Sequence, residues 1–299
     1  MSGENPTLGS VFGRFSDFER EAGLFSREVC GVRFWHYVRF SIYSTLVLPQ
    51  FVPMDAAHPD MHIRPARGGG IVRRIASRCR RAWQLLRMLV WQNPSFSVRR
   101  SDVLFSVAPR TALLPDGRRV RLAIDFFVDR LKSSWSVLEL PVGTSGYQVH
   151  DGRGRAFRWE AAKRAIDRYR KSAAFRSARP EIAAAARDLT AEMAARLGVS
   201  VDEATVRRRM ESAVVLERSA VPLLRRWLRR LRVKCVVEVV HYGSANMALT
   251  RAAHEEGLPV VELQTAQYTW RTPRTTCRQR ARPARLTICS DGANAGWSR

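Results

Sequence analysis

RVKCVVEVVHYGSANMALTRAAHEEGLPVVELQ, residues 232–264, is the stretch whose pattern decides the fold. Val233 to Val240 is apolar and β-branched, as a strand buried on both faces requires. Tyr242-Gly243-Ser244 breaks the run as a turn, with Ser244 as the candidate N-cap of a helix over Ala245 to Glu256. Gly257 falls at the C′ position of that helix, and Pro259 to Leu263 returns to strand character. Strand, helix and strand in so short a span make a βαβ unit, the element of a parallel sheet.

That placement locates a candidate site. In an open parallel sheet, ligands bind beyond the carboxyl ends of the strands. Tyr242, Gly243, Ser244 and Asn246 follow the first strand and Gln264 follows the second, so these positions are expected to face a ligand. The amides at the helix start suit a phosphate or carboxylate, although Gly243 and Ser244 also satisfy the turn itself. His241 can reach the same crevice and titrates near neutrality, or it serves only as a solvent-facing residue. Glu262 ends the second strand; with Glu139, which ends an earlier one, it would form an acid/base pair if the two strands were neighbours.

The regions upstream extend the α/β pattern. Asp102 to Val107 and Ser136 to Leu140 read as strands, Asp116-Gly117 as a turn and Leu122 to Leu131 as a helix. Arg158 to Leu231 is mostly helical, and Ser200-Val-Asp-Glu203 resembles a capping box. It ends in LLRRWLRRLR, residues 223–232, a buried stripe with a basic outer face. Residues 1–100 form a helical, basic region. Its stretch 34–52 is interrupted by His36, Arg39, Pro49 and Gln50, which argues for a packed amphipathic helix against a membrane span. Residues 53–70 form a loop whose His58 and His62 lack carboxylate or thiol company, so no metal site is expected. Residues 71–91 form a basic amphipathic helix that either lies on an anionic membrane or presents a solvated face.

Composition bounds the function more loosely. The 299 residues carry 51 Lys+Arg against 27 Asp+Glu, a formal charge of +24. The excess is nearly all arginine, which reflects a GC-rich coding sequence as readily as a functional demand. Apolar residues at 45% and charged ones at 26% exclude wholesale disorder and a membrane bundle. Five scattered cysteines make neither a disulfide framework nor a zinc module. No basic and apolar leader is seen at the N-terminus, so the expected location is cytoplasmic, with peripheral contact at the inner face of the cell membrane. GxSxG, Walker A, GxGxxG and HExxH patterns are all missing, and no cofactor is expected.

Tyr242-Gly-Ser-Ala-Asn-Met247 and the run Ala252-Ala-His-Glu-Glu-Gly-Leu-Pro-Val-Val-Glu-Leu-Gln264 are similar to bacterial glycosyltransferase-like proteins of capsule and surface-polysaccharide synthesis. The resemblance is closest over residues 234–264 and weaker over 101–141. It implies the N-terminal half of a GT-B-like architecture: a Rossmann-like parallel sheet with flanking helices over 101–264, a long helical insertion at about 158–231 and a helical region before it. A nucleotide-activated sugar would be the donor, and a glycan or lipid-linked molecule the acceptor. Glu262 and Gln264 match the family's site, whereas the histidine that usually follows is replaced by Thr265.

Residues 265–299 depart abruptly, with seven arginines, one acidic residue and no apolar periodicity. If one base is lost after the codon of Gln264, the degenerate codons that follow permit His-Gly and then His-Pro-Ala-Tyr-His, the family's continuation. The expectation is a truncated, inactive chain with a disordered, out-of-frame tail, the alternative being a natural basic disordered tail. A rival class, a nucleic-acid-binding protein, rests on charge alone and is disfavoured, because the cations of 223–232 alternate with a buried stripe. A noncatalytic scaffold of a polysaccharide-assembly complex is a third reading.

Overall fold

The computed structural model describes residues 8–51, 83, 86, 92–97, 99–107, 112–113, 119–120, 124–128, 130–140, 155–239, 243–263 and 286–288. The chain divides into two compact units, one from residues 1–87 and 164–220, the other from 88–163 and 221–299. The helices expected as one insertion are thus shared, with 164–220 joining the N-terminal helices and 221–231 joining the sheet.

The helical unit comprises α1 (Leu8–Glu21), α2 (Trp35–Ile42), a short helix Leu48–Phe51, α3 (Lys163–Arg170), α4 (Ala173–Leu197) and α5 (Glu203–Val215). Phe15, Phe18, Leu24, Phe34, Trp35, Ile42, Ile182, Leu189, Met193, Val206 and Met210 are buried in it. The amphipathic helix expected over 34–52 is present and packed. It passes through a π turn, Tyr43–Val47, just ahead of Pro49, which has no N–H to donate. Ser172 caps α4 by accepting from the Phe175 amide, and Gly198 ends it in the left-handed region at φ 69°. Asp202 caps α5, accepting from the amides of Ala204 and Thr205, so the cap falls two residues after Ser200.

Among the described residues no helix is long and apolar enough to cross a membrane. The loop with His58 and His62 lies outside them. So does most of the basic helix expected at 71–91, of which Trp83 and Leu86 are described, both helical and exposed.

The sheet unit is built on β1 (Val103–Val107), β2 (Ala112–Leu113), β3 (Arg119–Val120), β4 (Trp135–Glu139), β5 (Arg155–Arg158), β6 (Cys235–Glu238), β7 (Val260–Leu263) and β8 (Leu286–Ile288). Its main sheet runs β5-β4-β1-β6-β7-β8, and β2 pairs separately with β3. The first five of these strands are mutually parallel, and β8 is antiparallel to β7. In chain order the parallel strands read third, second, first, fourth, fifth, which is the doubly wound arrangement, with its topological switch point between β1 and β6.

Strand pleating sends alternate side chains to opposite faces. One face carries Phe105, Val107, Trp135, Val137, Val237, Val239 and Leu263, packed with Ile124 and Val128 of the turn and short helix that start at residue 124. Only Asp125–Val128 is helical among the described residues of the helix expected at 122–131. The other face carries Leu104, Ser106, Leu138, Val236 and Glu238. The helix following β6, here α7 (Ser244–Glu255), lies against β6 and β7, and α6 (Val221–Leu231) packs beside it.

Both helices end in the same way. Gly257, at φ 67°, donates to the His254 carbonyl at 3.0 Å, and Leu258 donates to that of Ala253 at 2.9 Å. At the end of α6, Arg232 adopts φ 55° and donates to Arg229 while Val233 donates to Leu228. These are paired Schellman closures. The βαβ unit is therefore formed as expected. Three features were not anticipated: the short β2–β3 pair, β5, which ends at the residue where the helices were expected to begin, and β8, inside the segment expected to lack structure. The rest of 265–299, like the Asp116-Gly117 turn, lies outside the described residues.

Candidate functional site

The site is built from the carboxyl ends of β1, β6 and β7. Register sets Ser106 beside Glu238 and Glu238 beside Glu262, so all three side chains leave the same face, the one covered by α7. From α7, Asn246 and Thr250 stand one helical turn apart and point at the strands. Ser106 Oγ lies 2.5 Å from Asn246 Oδ1, and Thr250 Oγ1 donates to Glu238 Oε1 at 2.9 Å. Ser106, Glu238 and Asn246 are fully buried. A carboxylate withdrawn from water is costly unless hydrogen-bonded, so the Glu238 contact holds α7 against the strand ends at the switch point. Glu262 is only half-buried and stays accessible at the edge of this row.

Of the positions singled out in the sequence, Gly243, Ser244, Asn246 and Glu262 gather at this end of the sheet, while His241, Tyr242 and Gln264 lie outside the described residues. The N-cap position belongs to Gly243, whose backbone is extended at φ −78° and ψ 138°. Ser244 is the first helical residue instead, because Met247 already closes its turn on the Gly243 carbonyl at 2.9 Å. Asn246 sits at the expected end but turns inward to Ser106, which makes it a positioning residue for the helix start.

Ser106, Glu238 and Thr250 were not anticipated. A signal for the first two exists in the sequence: a single polar residue inside the apolar runs VLFSV and CVVEVV. Two such interruptions at equivalent depth suggest partners, but only the register shows that they are neighbours.

The carboxylate pair Glu139 and Glu262 does not form. β4 and β7 are separated by β1 and β6, and the two side chains leave opposite faces. Glu139 instead lies 3.6 Å from the guanidinium of Arg158 on β5, with both side chains largely buried. Nor does Cys235 offer a nucleophile, since burial pushes its thiol pKa up, away from the thiolate. Among the described residues there is no group of three or more His, Cys, Asp or Glu side chains placed to hold a metal ion.

The basic face of α6 is answered within the same unit. Arg225 meets Glu255 at 2.8 Å and Glu256 at 2.7 Å, Arg229 meets Glu256 at 3.1 Å, and Arg230 donates to the Ser97 carbonyl at 3.1 Å. Three arginines of that face are thereby engaged by the protein itself, which weakens the helix as a phosphate-binding surface.

What the fold and the polar row define is a doubly wound α/β unit whose switch point carries a buried hydroxyl and carboxylate clamp beside an accessible glutamate. No family model matches the chain, and comparison with the curated proteins and with the solved structures returns no match.

Proposed function

We propose that the chain is a glycosyltransferase-like protein of bacterial surface-polysaccharide synthesis that carries the first Rossmann-like half of a GT-B-like architecture. The observation that supports this most is the switch point between β1 and β6, because α7 opens there within the segment, 234–264, that carries the family resemblance. In this reading a nucleotide-activated sugar is the donor and a glycan or lipid-linked molecule the acceptor. Amides at the start of α7 favour the anionic phosphates of the donor. Glu262 supplies an acid/base group at the crevice, and the sequence assigns His241 and Gln264 to the same chemistry.

Residues 265–299 are, on this reading, translated out of frame. The coding DNA tests that directly, since the shifted frame must spell His-Gly immediately after Gln264 and His-Pro a few codons on. The chain as it stands is then expected to give no donor-dependent sugar transfer, and the protein made from the corrected frame is expected to give it. Transfer by the present chain would overturn the proposal. The protein acts peripherally at the inner face of the cell membrane, attracted by the net charge of +18 that remains on residues 1–264 once the seven arginines and one aspartate of the tail are taken from +24.

A further inference from the structure

Three phenylalanines of the helical unit stand in water from three different segments: Phe12 on α1 is 47% exposed, Phe25 in the connection that follows 39%, and Phe40 on α2 42%. Arg39 joins two of them, its guanidinium 5.9 Å from the ring centre of Phe12 and 5.4 Å from that of Phe25. The rim is aromatic as well, with Tyr43 edge-on to Phe12 at 5.5 Å and His36 against Phe25 at 5.4 Å.

The Arg39 charge is compensated from below. Glu19 accepts from its Nε at 2.5 Å and its Nη2 at 2.8 Å, and also from the Trp35 indole at 2.8 Å. A guanidinium neutralised in this way can leave water with its aromatic neighbours at little cost, whereas a bare one could not.

We propose that Phe12, Phe25 and Phe40 form the surface by which the helical unit enters the headgroup region of an anionic bilayer. The rings insert, Arg39 and Tyr43 sit at headgroup level, and the chain's large positive charge supplies the attraction that the neutralised patch does not. The inference rests on the membrane reading given above and names the residues that carry it.

Sedimentation with vesicles of phosphatidylcholine, with and without phosphatidylglycerol, tests it. The full chain is expected to bind the anionic vesicles, and the triple variant F12S/F25S/F40S to bind at least ~10-fold more weakly, its residual binding abolished by salt. Phe40→Glu alone, checked by far-UV circular dichroism, gives the same direction of change while leaving Phe12 and Phe25 in place. Equal binding by native and variant chains overturns the patch and leaves the membrane reading standing. Failure of the native chain to bind at all overturns both. Loss of self-association in the variant, with vesicle binding unchanged, assigns the surface to a second copy and overturns the proposal.

Discussion

Glu19 in the helical unit and Glu238 in the sheet unit are both buried carboxylates, yet they are held differently. Glu19 is grasped by a guanidinium and an indole that come from its own neighbourhood of packed helices. Glu238 stands at a strand end and is met by the hydroxyl of Thr250 from a helix that begins beside it. The first arrangement neutralises charge and locks two helices together. The second aligns a helix start with the carboxyl ends of strands, where a doubly wound sheet receives ligands. One unit therefore uses its buried acid to join two helices, and the other uses it to fix a helix start at the strand ends.

The largest effect that tests this contrast is expected at Glu19. Glu19→Ala strands the Trp35 indole and half-frees Arg39, at a cost of about 3 kcal/mol to the unfolding of its unit, read from urea denaturation. Thr250→Val removes one hydroxyl donor from Glu238 and is expected to cost about 1.5 kcal/mol. A larger loss at Thr250 than at Glu19 would reverse the comparison.

Helix ends should separate the units by sign. Ser172→Ala deletes the cap of α4 and lowers stability by about 1 kcal/mol. Arg232→Gly relieves a left-handed backbone at the end of α6 and raises it by about 0.5 kcal/mol, after allowing for the extra freedom of glycine in the unfolded chain. Thermal melts of the two variants should move in opposite directions.

The smallest effect is a pH limb in the sheet unit. The Lys234 ammonium, 2.7 Å away, together with the Ser134 hydroxyl, holds the Asp102 carboxyl down at about 2. Because the folded pKa lies below the unfolded one, this contribution is complete above the ordinary carboxylate pKa of about 4 and disappears as the pH falls to about 2. Asp102→Asn should flatten that part of the stability profile, and an unchanged profile would remove Asp102 from the acid response.

Legibility differed between the two units for a physical reason. The βαβ unit was readable because its signals are local: a β-branched run, a turn, a glycine at C′ and a second run all lie within residues 232–264. The packed helix at 34–52 was readable from its apolar period. β5 was missed because RAFR is short and flanked by charge, so nothing local marks it as a strand until it lies beside β4. The expected pair of Glu139 and Glu262 failed for a related reason, since strand-end position says nothing about strand order.

The chain's own residues determined the α/β class, the position of the helix start after β6 and the excess of cationic charge, because each depends on neighbours in sequence. Tertiary structure alone decided that β1 lies between β4 and β6, that Ser106 meets Asn246 and Glu238 meets Thr250, and that Arg225 and Arg229 are answered by Glu255 and Glu256. Those contacts join residues far apart along the chain or on different elements, and only the folded register brings their atoms within hydrogen-bonding distance.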